Sequence, residues 1–448
     1  MSKAAKSALV SFYFFVLLFG ATVQDLPSFF LFGEIGRSPI FLLLPVFLLV
    51  EFYLLFKNRT IRLKGKIEPC ALFIAVWLLF ISLAYMLYFL IIDRPVVLYN
   101  DTLLSKGIKI SVYWVVILLF VRQLRFCAEY LGIVTAWNTV TLCYWAIVFF
   151  FLMELVRPAL LVPLHATQYY SGGIRLLTSE CSWAGSVYIL FYILSLYYLY
   201  SISASKHKTI RFILLSIPTG LFLFYSHSKG MLFALALTSL CFALRYFATR
   251  RIRVRNLVLM ALLLLFLIPY PVYRATKSLK NDIAQYTSTS TRLTSNIASI
   301  VICLNHPLGV GSAYLWYFPE ALRETAQTVL DINPNFNMRE IYNTLKDDIG
   351  LSPKSGFCSV IMFGGFPVLI GLSILWIRLY RKARKSNLFV FGLLFGLISV
   401  LTYLNLEIKY ELWVFICLID CLAFSSGAEH RTVTKHHVHR GVSDIYSN

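Results

Sequence analysis

The chain has 448 residues, of which 59% are hydrophobic and only 14% are charged, and its formal net charge is +20. With a mean hydropathy of +0.73, this composition excludes a water-soluble globular protein and indicates a polytopic membrane protein. A bilayer core about 30 Å thick needs roughly 20 apolar residues per helical crossing. Because lipid offers no hydrogen-bond partner to a backbone amide, the apolar runs are expected to be helices.

Twelve apolar runs are predicted to cross the membrane. They are centred on residues 8–23, 38–56, 69–92, 108–121, 131–153, 183–202, 210–226, 230–247, 256–273, 355–377, 387–404 and 408–424. The first run follows Lys3 and Lys6, as in a signal peptide. No clear small-residue cleavage site comes after it, so we interpret it as a retained span.

Basic residues gather in every second link between the predicted spans, for example at 57–66, 250–255 and 378–385. Short cytoplasmic links rich in Lys and Arg follow the positive-inside rule, so both termini are predicted to be cytoplasmic. The net charge is then explained by orientation and by contact with anionic membrane lipids, and no nucleic-acid partner is predicted.

The predicted fold class is an all-α polytopic membrane protein of about 12 transmembrane helices, with a large, partly helical outer loop between spans 9 and 10. Residues 1–273 hold spans 1–9 and an outer loop at 154–182, residues 274–355 form the long outer loop, residues 356–424 hold spans 10–12, and residues 425–448 form a cytoplasmic tail. The other outer links are short, so function is expected at the two outer loops.

Three stretches of the long loop show helical periodicity. In the first, from Arg292 to Leu304, apolar residues recur on one face, while Arg292, Asn296 and Ser299 share the other and would point into a cavity. The second begins at Pro319, a residue favoured in the first turn of a helix. The third covers residues 337–348.

Three polar motifs lie at the predicted outer face. Arg175 and Glu180 precede the sixth span, and each needs a partner if it is buried. Their spacing puts them on different faces of a helix, which argues against a pair between them. Lys229 lies in the short turn before the eighth span, where a lysine is also explained by snorkelling. His306 precedes a Gly-x-Gly sequence, which is also common in ordinary turns.

Cations dominate these outer segments, and Glu180 is the acid embedded among them. The cations are Arg175, Lys229, Arg274, Arg292 and Lys354. Arginine binds phosphate oxygens with two hydrogen bonds and lysine adds a compact charge, so a diphosphate at the membrane surface is the expected ligand. Glu180 would take the proton of an attacking sugar hydroxyl as a general base. No Asp-rich metal motif appears in the outer segments, so chemistry without a metal or cofactor is expected.

The order of these motifs resembles the O-antigen polymerase (Wzy-type) and O-antigen ligase superfamily. The motifs are an arginine before Ser-Glu-x-Ser-x-x-Gly at 175–185, Ser-x-Ser-Lys-Gly at 226–230, and Arg292 followed by His-Pro-Leu-Gly-Val-Gly-Ser at 306–312. The matching pieces are short and lie within about residues 175–370. The resemblance implies a bacterial inner-membrane protein whose large late loop is periplasmic, and which acts on undecaprenyl-diphosphate-linked glycans.

The resemblance also implies residue functions. Arg175 and Arg292 stand where the family has its diphosphate-contacting arginines, and Glu180 stands at a glutamate often found in polymerase-like members. Ligases carry a histidine just before the span that follows the long loop. Residues 352–357 contain none, and His306 belongs to another motif, so polymerase activity is favoured over ligase activity.

The predicted function is therefore polymerisation of lipid-linked O-antigen repeats by inverting glycosyl transfer. Glu180, Arg175 and Arg292 are the predicted catalytic residues, and the predicted substrate-binding residues are Lys229, Arg274, His306 and Lys354. The expected partners are the lipid-linked donor and acceptor, membrane lipids and, if it binds directly, a chain-length regulator protein.

Two alternatives stay open. One is a polysaccharide ligase of the same superfamily. The other is a lipid-linked glycan transporter or flippase, which would be expected to carry ionisable coupling residues near the bilayer midplane. The acids within the predicted spans, Glu51, Glu411 and Asp420, are interpreted instead as partners of nearby cations or as interfacial residues.

Overall fold

The computed structural model describes residues 2–59, 62–98, 101–166, 173–203, 206–249, 288–347, 353 and 355–422. The predicted ninth span, Arg274, Lys354 and the tail lie outside the described residues. The described part is helical apart from one short antiparallel pair, in which β1 (Val97–Leu98) faces β2 (Asp101–Thr102). This confirms the predicted all-α polytopic fold class.

The helices fall on either side of the 250–287 gap. Before it are α1 (Lys3–Gly20), α2 (Phe29–Phe32), α3 (Pro39–Leu42), α4 (Leu44–Asn58), α5 (Ile67–Ile91), α6 (Leu103–Leu131), α7 (Ile133–Val156), α8 (Cys181–Tyr197), α9 (Lys208–Tyr225) and α10 (Lys229–Thr249). After it are α11 (Ser288–Asn305), α12 (Tyr314–Ile332), α13 (Arg339–Asp347), α14 (Gly356–Ala383), α15 (Asn387–Thr402) and α16 (Tyr410–Leu422).

Six of the described helices are long and apolar enough to cross a membrane, namely α5, α6, α7, α8 with its π-helical extension to Ile202, α9 and α14. Two further apolar helices, α1 from Ala4 and α15, are shorter. The predicted second span is divided into α3 and α4, because Pro45 at the start of α4 has no N–H with which to continue α3. The total of twelve spans stays a prediction.

Buried ion pairs join five helices at the predicted cytoplasmic end. Arg122 lies 2.7 Å from Glu51 and 3.1 Å from Glu68. Arg125 lies 2.8 Å from Asp420, which also pairs with Lys382. Residues from α4, α5, α6, α14 and α16 thus meet at one end of the bundle. The interpretation of Glu51 and Asp420 as partners of nearby cations is confirmed.

The glycine turn after His306 packs against a kink in α14. Val310 N donates to Met362 O at 3.0 Å and Phe366 N donates to Pro307 O at 2.8 Å. Gly309 has a φ of 87° and Gly365, at the kink, has a φ of 62°. A Cβ on Gly365 would lie 2.3 Å from Gly309 N, so two backbones approach here closely enough to require glycine. This close backbone contact explains why residue 309, the first of the Gly-x-Gly sequence, is a glycine.

Candidate active site

Glu180 is the residue immediately before α8, and its side chain is exposed at the outer end of that helix. Its backbone is extended, and its carbonyl accepts from Trp183 N at 3.1 Å, which starts the first turn. Glu180 Oε2 also accepts from Ser182 Oγ at 3.2 Å. Acidic residues are favourable at a helix N-terminus because of the helix dipole, which suits the position of Glu180.

Arg292, in the first half of α11, faces this carboxylate from the long outer loop. Its Nη2 lies 3.8 Å from Glu180 Oε2, and the two side chains are 35% and 48% exposed. A pair this exposed contributes only about 0–1 kcal/mol to stability. Separating Glu180 from Arg292 therefore costs little.

The turn before α10, residues 226–228, packs against the link that precedes α8. A Cβ on Gly173 would lie 3.0 Å from Ser226 O and 3.5 Å from His227 Cβ, so the outer link rests on this turn. A Cβ on Gly230 would lie 3.9 Å from Ser182 Cβ. Lys229, the first residue of α10, is exposed beside this contact. The structure thus brings together the segments that carry Glu180, Lys229 and Arg292.

Arg175 is placed differently from Arg292, because its side chain is only 2% exposed. Its backbone N donates to Glu154 Oε1 at 2.9 Å, and Leu176 N donates to Glu154 Oε2 at 2.7 Å. Glu154, near the end of α7, thereby holds the outer link. Sequence reasoning missed Glu154, although an acid near the end of an apolar run was the available signal. That Arg175 and Glu180 do not pair stays a prediction from their spacing.

His306 lies away from Glu180. It follows the end of α11, and the 14 positions from Arg292 correspond to about 21 Å of helix axis. Its Nδ1 is 2.9 Å from Tyr85 OH, and its ring centroid is 4.4 Å from that of Tyr317. Burial lowers the pKa of His306, so the imidazole is neutral at pH 7. Contact between His306 and substrate stays a prediction, and it would occur away from Glu180.

A buried lysine that sequence reasoning did not single out lies directly behind the start of α8. Lys409 Nζ donates to Gln24 Oε1 and lies 2.8 Å from the ring centroid of Trp183. Gln24 Nε2 in turn donates to Glu411 Oε2 at 2.6 Å. The expected cation near Glu411 is thus Lys409, joined to it through an amide. The Lys-x-Glu sequence at 409–411 indicated that the two charges lie close together. It could not indicate that a buried Gln24 bridges them.

The described part of the chain is thus a multi-pass helical membrane protein with a charged site at its predicted outer face. A family model described as O-antigen ligase matches residues 211–338, a range that includes Lys229 and Arg292. Among curated proteins, none matches the chain. The family match supports membership of the chain in the superfamily of O-antigen polymerases and ligases, whose members are glycosyl-transferring enzymes.

Proposed function

We propose that this protein polymerises undecaprenyl-diphosphate-linked O-antigen repeats at the periplasmic face of a bacterial inner membrane. The observation that carries the proposal is the half-exposed pair of Glu180 and Arg292, in which a carboxylate and a phosphate-binding group lie side by side. Both are needed at one point if a sugar hydroxyl is to displace a lipid diphosphate.

Arg292 binds the diphosphate of the donor, which carries the growing glycan. A guanidinium group offers two parallel N–H donors to phosphate oxygens, and this geometry is stronger than a single contact. Because the pair with Glu180 contributes little stability, the diphosphate replaces the carboxylate on Arg292. The freed carboxylate of Glu180 then accepts a hydrogen bond from the acceptor hydroxyl.

The transfer step forms one bond and breaks another. The acceptor oxygen bonds to the anomeric carbon of the donor, and the bond between that carbon and the phosphate oxygen breaks. The electron pair leaves with undecaprenyl diphosphate, whose growing negative charge Arg292 and Lys229 stabilise. The hydroxyl proton passes to Glu180 and then to solvent. A single displacement inverts the anomeric configuration and needs no metal or cofactor.

The other predicted site residues are proposed to act farther from the reacting atoms. Arg175 reaches the diphosphate only after the outer link opens, because its side chain is buried in the present conformation. Arg274 and Lys354 are proposed substrate-binding residues outside the described residues. His306 is proposed to contact the glycan away from the reacting carbon. Membrane lipids and a chain-length regulator protein complete the proposed partners.

The choice of polymerase over ligase rests on the sequence. The matched family model carries the description O-antigen ligase, and residues 352–357 lack the histidine that the resemblance assigns to ligases. A transporter or flippase is less well supported, because the acids within the predicted spans are held by partners. Glu51 pairs with Arg122, Asp420 with Arg125, and Glu411 accepts from Gln24 and Ser186.

The glycan profile of a deletion strain tests this function. Loss of a polymerase leaves lipopolysaccharide capped with a single repeat. Complete loss of capping would contradict the proposal and support a ligase or a flippase. Complementation with the intact chain restores the long ladder if the deletion alone is responsible.

A further inference from the structure

Lys409, Gln24, Glu411 and Ser186 are buried next to the proposed base and form one group with the partly buried Trp183, and the mechanism above does not use this group. Lys409 and Glu411 are both 0% exposed. Glu411 Oε1 accepts from Ser186 Oγ at 2.7 Å, and its other oxygen accepts from Gln24. A continuous chain of hydrogen bonds therefore runs from the ammonium of Lys409 to the second turn of α8.

Two members of this group, Trp183 and Ser186, belong to α8 and lie just after Glu180. Trp183 packs its ring on the ammonium of Lys409, and Ser186 donates to Glu411. Trp183 and Ser186 are three apart in the helix and so lie on neighbouring positions of one side, and Glu180 immediately precedes the helix. Holding Trp183 and Ser186 therefore fixes the start of α8, from which Glu180 projects.

The charges around Lys409 come from several segments of the chain. Glu411 belongs to α16, Glu180 precedes α8, and Arg37 and Asp25 belong to the segment between α1 and α3. Lys409 therefore lies within electrostatic reach of the carboxylate of Glu180, with the indole of Trp183 on the ammonium itself.

We propose that Lys409 is a positioning residue for Glu180, acting through Trp183 and through the Gln24–Glu411 bridge. This inference rests on the proposed function of Glu180 as a base. A lysine is costly to bury, and an apolar side chain of similar size would fill the same space. Lys409 therefore sets the orientation of the start of α8, and it does not touch substrate.

Lys409→Met tests the inference in purified protein supplied with lipid-linked repeats. We expect kcat for glycan extension to fall at least tenfold, with KM for the lipid-linked donor unchanged within twofold, because the donor is bound by Arg292. Combined with Glu180→Gln, the substitution should cause no further loss beyond twofold. A full additional tenfold loss in that background would show that Lys409 does not act through Glu180, and would overturn the proposal.

A second variant separates positioning from folding, since Lys409→Met leaves Glu411 without its counter-charge. Lys409→Met combined with Glu411→Gln removes both charges, while the amide oxygen of residue 411 still accepts from Gln24 and its NH2 group donates to Ser186 Oγ. We expect it to match the wild type in yield and unfolding temperature while kcat stays at least tenfold low. Recovery of kcat to within twofold would mean a purely structural pair. Wild-type activity of Glu180→Gln alone would instead overturn the proposed function.

Discussion

Arg292 Nη2 lies 3.8 Å from Glu180 Oε2, although the two residues belong to different outer segments of the chain. The pair joins the end of the outer link, at α8, to the long loop, at α11. Because the pair is half-exposed, separating the two side chains costs little. A negatively charged ligand can then replace Glu180 on Arg292.

Replacing Arg292 by alanine should abolish glycans longer than one repeat while single-repeat caps remain. The loss of the guanidinium removes a donor aimed at the leaving diphosphate, an effect of roughly 10²–10³-fold on rate. Arg323→Ala is the matched control, because Arg323 is an exposed arginine on α12 of the same loop. Gel-separated lipopolysaccharide gives the measurement. Unchanged ladders for Arg292→Ala would count against its contact with the diphosphate.

Glu180→Gln should slow extension by roughly 10²–10⁴-fold, because the amide cannot accept the hydroxyl proton. Binding of the lipid-linked donor should be unchanged, since Arg292 is intact. Glu324→Gln, an exposed site on α12, serves as the control. The rate is measured with purified protein and lipid-linked repeats. Normal polymerisation by Glu180→Gln would remove Glu180 as the base.

The fold was largely readable from the sequence, because the apolar runs are long and the basic links alternate. The packing between distant segments was not. Gly309 and Gly365 are far apart in the chain, and neither motif alone indicates that their backbones meet. The Gly-x-Gly sequence therefore looked like an ordinary turn or a ligand loop, whereas its conformation is set by the kink of α14.

Gly365→Ala should destabilise the protein more than Gly33→Ala. Both glycines share nearly the same conformation, with φ and ψ of 62° and −159° for Gly365 and 64° and −150° for Gly33. That conformation alone costs a non-glycine residue about 1–3 kcal/mol. A Cβ on Gly33 meets nothing within 4 Å, whereas one on Gly365 meets Gly309 N at 2.3 Å. Equal unfolding temperatures in detergent would contradict this close approach.

Arg125→Met should lower stability by roughly 1–3 kcal/mol, because it removes the cation that joins two buried carboxylates, leaving Glu68 with Arg122 alone and Asp420 with Lys382 alone. Arg125 lies 2.9 Å from Glu68 and 2.8 Å from Asp420, and all three side chains are buried. Lys64→Met is the control, since its pair with Glu129 is more than 45% exposed on both sides and contributes about 0–1 kcal/mol. Thermal unfolding in detergent compares them. Similar losses would show that the buried network contributes little.

Stability should fall as the pH rises from about 4.5 to about 7, because of Glu407. Burial raises the pKa of Glu407, in the link between α15 and α16, from 4.5 to about 7. In that window the native carboxyl holds a proton that the unfolded one releases, so its contribution is complete below the window and lost above it.

Glu407→Gln should therefore raise the unfolding temperature more at pH 8 than at pH 5. The stability difference at pH 8 is at most roughly 3.4 kcal/mol, since the pKa rises from 4.5 to about 7 and each pKa unit corresponds to about 1.36 kcal/mol. Glu320→Gln, at an exposed position of α12, should have no effect at either pH. An equal effect of Glu407→Gln at both pH values would contradict the assignment.

The candidate site was only partly readable from the sequence. Glu180, Lys229 and Arg292 stood out as polar residues at the mouths of apolar runs, and the structure places their segments together. Residue type could not indicate that Arg175 is buried on a backbone held by Glu154. Nor could it indicate that Lys409 lies behind Trp183, because this contact depends on how α8 and α16 pack.

The most direct measurement supplies purified protein, in lipid nanodiscs, with lipid-linked repeats from the deletion strain together with lipid A–core. Mass spectrometry then identifies what carries the new glycosidic bond. The account predicts glycans of two or more repeats on undecaprenyl diphosphate, formed by the wild type and lost in Arg292→Ala. Transfer of repeats to lipid A–core, with no extension on the lipid diphosphate, would contradict it.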